Sequence, residues 1–195
     1  MGSSELLTLL KETGAFLEGH FLLTSGRHSD VYIEKFRILE NPRTLNDVCR
    51  EMAEIVKNDN VDLVLGAAIG GILISGGVGR HLDMKHIFCE RVNGKMELRR
   101  GFSITKGHRI VIVEDIVTTG GSVMELIELA EEQGAEILHV VNLVDRSSGD
   151  IDFGVPSTAI LTIPSKSWGA DNCPLCKQGM AITQRGRTGK KMETI

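Results

Sequence analysis

A run of acids, hydroxyl side chains and glycines at residues 114–122 has the chemistry of a ligand site. Glu114 and Asp115 open the run, and threonines, glycines and Ser122 close it just before a helical pattern. A helix N-terminus offers backbone N–H groups and a favourable dipole to an anion such as a phosphate. Adjacent carboxylates would repel that phosphate, so we expect them to face sugar hydroxyl groups or a metal-bound ligand beside it. The run therefore indicates a phosphorylated ribose with Mg²⁺ nearby; the alternative is an ordinary strand-to-helix turn with a Ser/Thr cap.

Two common nucleotide motifs do not fit this run. The lysine of G-x-x-x-x-G-K-[ST] is missing, and so is the spacing of G-x-G-x-x-G. Residues 111–122, VIVEDIVTTGGS, instead resemble the phosphoribosyl pyrophosphate (PRPP) motif of type I phosphoribosyltransferases. The resemblance implies that Mg²⁺ is held through PRPP without a direct protein ligand. It also implies that PRPP is bound by Glu114, Asp115, Ile116, Val117, Thr118, Thr119, Gly120, Gly121 and Ser122, together with Gly70 and Gly71.

Two further segments narrow the resemblance. Residues 22–33 (LLTSGRHSDVYI) are similar to the N-terminal segment of orotate phosphoribosyltransferases, and residues 144–146 (VDR) to a strand end of the same family. The family resemblance covers roughly residues 5–165. It implies orotate and PRPP as substrates, orotidine 5′-monophosphate and pyrophosphate as products, and a place in UMP biosynthesis. The orotate contacts it implies are Thr118, Arg146, Tyr32 and Ile33; core packing of Tyr32, and a surface ion pair of Arg146 with Asp145, remain the alternatives.

A basic segment, residues 91–100 (RVNGKMELRR), stands where the family carries a mobile loop that closes over pyrophosphate. The resemblance implies that Lys95 is the catalytic lysine of this loop, assisted by Arg91, with Asp115 at the ribose. It further implies a homodimer whose active sites are shared, with Lys95 reaching the neighbouring subunit. A solvated basic hairpin turn is the alternative interpretation of these residues.

The chain departs from the family at several positions, two of which bear on pyrophosphate. Gly70 and Thr24 stand where many members have lysine. We therefore expect pyrophosphate to depend on backbone N–H groups around Gly70 and Gly71.

The cysteine pair in Cys173-Pro-Leu-Cys176 has the spacing of metal ligands. A zinc site would need two more Cys or His ligands, while Cys49 and Cys89 fall in helix and strand patterns typical of the core. Three interpretations stay open: a small turn, a zinc site at Cys173 and Cys176, and a redox pair. The segment is also similar to the tail of some bacterial members of the family.

The elements that must position these residues alternate between strands and helices. Short apolar runs predict strands at 61–65, 86–91, 109–113 and 137–144, and helical spacing predicts helices at 4–12, 44–57, 72–82 and 122–133. This alternation indicates a doubly wound, mostly parallel α/β sheet flanked by helices, whose ligands bind beyond the carboxyl ends of the strands. We expect a single domain, 1–195, of the type I phosphoribosyltransferase fold. Within it, 1–35 and 165–184 form a small hood, and 185–195 a mobile basic tail.

Composition excludes several other classes. The 195 residues carry a net charge of −4 and only 4% aromatic residues, which disfavours nucleic-acid partners and an added nucleic-acid-binding domain. That weakens a PRPP-sensing regulator as the alternative function, and the scarcity of aromatics in the C-terminal third weakens a purine-specific transferase. We find neither a leader-like start nor a membrane-spanning run, and few scattered cysteines, so we expect a cytoplasmic protein with no membrane partner.

Overall fold

The computed structural model describes residues 3–23, 25–147, 151–163 and 166–185. Its helices are α1 (Ser3–Glu12), α2 (Phe36–Leu39), α3 (Pro42–Val56), α4 (Gly70–Leu82), α5 (Gly121–Glu132) and α6 (Pro174–Lys177). Its strands are β1 (Phe16–Leu22), β2 (His28–Ile33), β3 (Leu63–Ala67), β4 (Lys85–Val92), β5 (Lys95–Leu98), β6 (Arg109–Val117), β7 (Glu136–Asp145), β8 (Ser157–Thr162), β9 (Ser167–Trp168) and β10 (Thr183–Gln184).

The main sheet has the strand order β5-β4-β3-β6-β7-β8 over the described residues. All neighbouring strands in it run parallel except β5, which pairs antiparallel with β4. The predicted α/β class with a mostly parallel sheet is therefore confirmed. Strand boundaries differ from the prediction at two places. β3 runs Leu63–Ala67, two residues later than predicted, and β6 does not stop at Val113, because Ile116 and Val117 still pair with Val144 and Asp145 of β7. The two acids of the 114–122 run therefore belong to the last part of the strand.

Helices cover both faces of this sheet, as its continuous apolar strands require. One core joins Val111 and Val141 to α3 and α4, and the other joins Ile112 and Val140 to α5. Helix α1 belongs to the first core through Leu6 and Leu10, so it packs on the main sheet although the prediction placed it in the hood. Among the described helices none has the length and apolarity to cross a membrane.

A second sheet, ordered β10-β1-β2-β9, joins the N-terminal hairpin to the C-terminal segment. We call residues 16–33 and 166–184 the hood. Arg27 fastens its two halves, since its guanidinium donates hydrogen bonds to the side-chain oxygen and the carbonyl oxygen of Ser167. Thr24 and residues 186–195, most of the predicted tail, lie outside the described residues.

Residues 91–98 form the end of a β-hairpin, where the family resemblance implied a mobile loop and a basic hairpin turn was the alternative interpretation. Arg91 and Val92 end β4, Lys95 begins β5, and only Asn93 and Gly94 connect them. Both turn residues have positive φ, 49° and 88°. Asn-Gly is the preferred dipeptide for such two-residue hairpin turns, which explains why the strands pair here.

Candidate active site

Two buried carboxylates lie near the carboxyl end of β6, in the middle of the main sheet. The side chain of Asp115 is 4% exposed, and its Oδ2 accepts an ion-paired hydrogen bond from Lys35 Nζ at 2.7 Å. Glu114 Oε1 accepts the backbone N–H of Asp115 at 2.9 Å. Burial, together with the charge of Asp115, raises the pKa of Glu114 to about 8. Burial thus favours the neutral form of Glu114, while Asp115 is paired with a lysine.

The turn that follows β6 forms an open concavity lined by residues 116–123. Thr118 and Thr119 are exposed in it, and Gly120 precedes α5 with a φ of 74°. Gly120 gives α5 no side-chain cap, so the N–H groups of the first helical turn are left for another acceptor. The positive helix end and the hydroxyl groups together suit a phosphate dianion.

A second helix N-terminus approaches the same carboxylates from β3. Helix α4 begins at Gly70, and both Gly70 and Gly71 are buried. A Cβ added at Gly70 would overlap Oδ2 of Asp115. A lysine side chain in this backbone position would therefore displace the carboxylate. The close approach of Asp115 therefore favours glycine at position 70 in this chain.

Arg146 connects the main sheet to the hood. Its backbone N–H donates to the carbonyl oxygen of Val117 at 2.8 Å, and its guanidinium donates to the carbonyl oxygen of Val31 at 3.2 Å. Burial lowers the pKa of this guanidinium, and among the described atoms its buried Nε has no hydrogen-bond partner. A planar anion could accept from this donor.

Tyr32 and Ile33 end the hood strand β2. Ile33 is buried, whereas Tyr32 is half-buried with its ring centroid 5.7 Å from that of Phe21. Burial and, secondly, the nearby charge of Glu34 raise the pKa of the Tyr32 hydroxyl. Tyr32 thus combines a packed ring with partial exposure close to Arg146.

Arg91 and Lys95 lie at the tip of the β4–β5 hairpin. Arg91 forms an ion pair with Glu125 at 2.9 Å and lies 3.5 Å from Ser122 Oγ. Glu125 also accepts the backbone N–H of Met96 at 3.2 Å, so it holds the hairpin against α5. Lys95 is exposed beyond these contacts. The structure thus brings Arg91 to the 114–122 run and leaves Lys95 at the solvent-facing end.

Two residues at this site carry no distinctive sequence signal. Lys35 follows β2 by two positions and contacts Asp115 across 80 residues, and Glu125 lies one turn after Ser122 on α5. A lone lysine after a strand and a glutamate on an exposed helix face are both common. Only the helical spacing of Ser122 and Glu125 could have suggested that Glu125 lies beside the motif.

Comparison with known proteins places this site in a family. The family model for the phosphoribosyl transferase domain matches residues 36–154. Orotate phosphoribosyltransferases from Desulforamulus reducens and Thermotoga maritima are each 44% identical to the chain. The alignments cover 95% and 94% of it, and 97% and 98% of the relatives. The crystal structure of orotate phosphoribosyltransferase from Aeropyrum pernix aligns with a TM-score of 0.69 at 28% identity, covering 81% of this chain and 93% of that one.

The sheet, the strand-end carboxylates and the family match define a phosphoribosyltransferase, a pentosyl-transferring enzyme. Within that class, the chain is 44% identical to orotate phosphoribosyltransferases over nearly their full length. It therefore belongs to the orotate phosphoribosyltransferase family.

Proposed function

We propose that this protein transfers the 5-phosphoribosyl group of PRPP to orotate, which yields orotidine 5′-monophosphate and pyrophosphate for UMP synthesis. The observation that carries the proposal is the juxtaposition of Glu114 and Asp115 with the uncapped N-terminus of α5. Together they offer hydroxyl-binding carboxyl groups beside a phosphate site, as a ribose 5-phosphate requires. The names of the relatives support orotate as the acceptor.

Each part of the site has a separate task in this reaction. The first turn of α5 and residues 118–122 bind the 5-phosphate, and Glu114 and Asp115 accept hydrogen bonds from the ribose hydroxyl groups or donate to them. Bond breaking at the anomeric carbon builds positive charge on the ribose and negative charge on the leaving pyrophosphate. The carboxylate of Asp115 stabilises the former, and Arg91, Lys95 and the N–H groups around Gly70 stabilise the latter.

Lys35 has a distinct part in the substrate-free site. Its ammonium neutralises Asp115, which otherwise would be a buried unpaired charge. Ribose hydroxyl groups that approach Asp115 replace this ion pair by hydrogen bonds. The lysine, one third exposed, is then free to turn toward the anionic ligand.

Orotate is held where the main sheet and the hood meet. Arg146 offers its planar guanidinium to the flat, anionic pyrimidine, and Thr118 adds a hydroxyl group. Tyr32 and Ile33 provide the apolar side of the pocket from β2. The unpartnered Nε of Arg146 supports this arrangement, because a buried donor gains most from a ligand acceptor.

Mg²⁺ fits this site as a cation that arrives with PRPP. Over the described residues, the only cluster of three or more metal-type side chains is in the hood, and Asp115 already has Lys35 as a partner. The donor set at the strand end is thus two carboxyl groups, too few for a protein-built magnesium cage. When bound, the ion neutralises pyrophosphate charge, while Glu114 and Asp115 hold the ribose.

We propose a homodimer with shared sites, as the family resemblance implies, and the exposed position of Lys95 at a hairpin tip is compatible with a reach into the neighbouring subunit. Mixing Lys95→Ala and Asp115→Ala proteins would restore part of the activity if Lys95 serves the neighbouring subunit, because one hybrid site is intact. A mixture as inactive as its parents would contradict sharing.

The four free cysteines fit a reducing, cytoplasmic compartment.

The decisive assay follows the loss of orotate absorbance with PRPP and Mg²⁺ present, and pyrophosphate release when a purine base replaces orotate. We expect turnover with orotate and none with adenine, guanine or hypoxanthine. Turnover with a purine alone would favour a purine-specific transferase. PRPP binding with no turnover of any base would favour a PRPP-sensing regulator.

A further inference from the structure

Two histidines and two cysteines converge in the hood, away from the strand-end site. The four are His20 on β1, His28 on β2, Cys173, and Cys176 on α6. Their candidate ligand atoms all lie within 4.8 Å of one another. Three of these residues are buried, including both histidines. The hairpin and the C-terminal segment thus supply the two further ligands that the Cys173/Cys176 pair lacked in the sequence.

We propose that these four side chains form a tetrahedral zinc site that fastens the C-terminal segment of the chain to the N-terminal hairpin. The proposal adds a metal that is separate from the Mg²⁺ of the transferase reaction.

The separations match the edges of a zinc tetrahedron. Bond lengths near 2.05 Å for Zn–N and 2.3 Å for Zn–S imply about 3.3 Å between two nitrogens and about 3.6 Å between nitrogen and sulfur. His20 Nε2 and His28 Nδ1 are 2.9 Å apart. Cys176 Sγ lies 3.3 Å from His28 Nδ1, while His20 Nε2 lies 3.5 Å from Cys173 Sγ and 3.7 Å from Cys176 Sγ. All these edges agree to within a few tenths of an ångström.

The tautomer of His20 is also suitable for metal binding. Its other ring nitrogen, Nδ1, lies 2.8 Å from the carbonyl oxygen of Met180. A carbonyl oxygen can only accept, so Nδ1 carries the proton and Nε2 presents a lone pair to the cluster. Metal-ligating histidines commonly have such a partner, which orients the ring.

Zinc explains this cluster better than a turn or a redox pair does. A turn would need neither histidine, and a disulfide would use only the two sulfurs. Two thiolates and two neutral imidazoles neutralise Zn²⁺, so the site carries no net charge into the half-buried hood. The donor set and closed geometry are typical of structural zinc, with no open position for water.

The position of the site suggests what it stabilises. β10 pairs with β1 through two residue pairs and β9 with β2 through two. Such short strands add little stability by themselves, so a metal that joins three segments would hold the hood sheet together. β2 also carries Tyr32 and Ile33. A metal bound at His28 would therefore fix the position of the strand that lines the proposed orotate pocket.

The test measures metal in the full-length protein purified without chelator from zinc-supplemented cells. We expect about one zinc per chain by mass spectrometry, and loss of it in Cys173→Ser and His28→Gln. Cys89→Ala and His81→Gln are matched controls that should retain zinc, since neither residue belongs to the cluster. Because a ligand variant could fail to fold, cobalt-substituted wild-type protein provides a second readout: thiolate-to-cobalt charge transfer and intense tetrahedral d–d bands are expected.

Two results would overturn the zinc proposal. One is wild-type protein that holds no zinc and shows no tetrahedral cobalt spectrum, and the other is zinc that persists in the two ligand variants. A Cys173–Cys176 disulfide in protein isolated under anaerobic, reductant-free conditions would assign the pair to redox chemistry. Orotate turnover is not a readout here, so failure of this proposal and failure of the transferase assignment remain distinguishable.

Discussion

The strand-end site of the main sheet and the four-residue cluster of the hood are built in opposite ways. Residues 114–122 are contiguous, and they offer one strand end and the backbone of one helical turn. In the hood cluster, His20 and Cys176 are 156 positions apart and meet only through tertiary structure. In the strand-end site, phosphate binding depends on backbone conformation and the carboxylates act through their side chains, whereas the proposed zinc site is built from side chains alone. Substitutions of the carboxylates should therefore lower turnover without releasing zinc, and substitutions of the hood ligands should release zinc.

The largest effect is expected at Asp115, the charged side chain of the strand-end site. Asp115→Asn should lower kcat/KM by about 10³-fold, because the carboxylate that faces the developing positive charge on the ribose is lost. Steady-state kinetics with orotate and PRPP measure this, and zinc content should not change. Asp62→Asn is the control: this carboxylate pairs with Arg109 at the opposite end of β6 and should leave kcat/KM unaltered. Equal losses in both variants would mean that the effect is structural.

The next largest effect concerns Lys95, for which we propose a role in stabilising the leaving pyrophosphate. Lys95→Ala should lower kcat by about 10²-fold and leave KM for PRPP within about threefold, because the lysine acts mainly on the transition state. Lys85→Ala, an exposed lysine at the start of β4, is the matched control. An unchanged kcat in the Lys95 variant would remove this residue from the mechanism.

Arg146 joins the two regions, and its substitution should affect one substrate only. Arg146→Gln should raise KM for orotate about 10-fold, since a charge-assisted contact is lost, and leave the affinity for PRPP nearly unchanged. Arg80→Gln on α4, which hydrogen-bonds Asn46, serves as the control. If KM for PRPP rose equally, the guanidinium would hold the hood in place instead of binding orotate.

The difference in construction also explains what could be predicted from the sequence. Strands β3, β4, β6 and β7, helices α1, α3, α4 and α5, and residues 114–122 follow from local apolar runs, helical spacing and one contiguous motif. Lys35 and Asp115 are 80 positions apart in the sequence, and His28 and Cys176 are 148 positions apart, yet each pair is in contact. Such pairings depend on how the hairpin docks, which no local pattern encodes. The hairpin of residues 91–98 was only the alternative interpretation of that segment, because its charged residues resemble a loop, although its Asn93-Gly94 turn favours strand pairing.

The last expected effect is on stability, and it isolates the electrostatics of the strand-end site. Burial raises the pKa of Glu114 to about 8 in the folded protein, above its ordinary value of 4.5. Between these values the unfolded chain has released a proton that the folded protein keeps, so folding stability should fall as pH rises, by at most about 1.4 kcal/mol per pH unit. About one pH unit above the folded-state pKa this loss is complete. Urea unfolding of substrate-free protein between pH 5 and 9 should show this slope in the wild type, and Glu114→Gln, which stays neutral in both states, should remove it. A slope that persists in the variant would mean that other groups cause it.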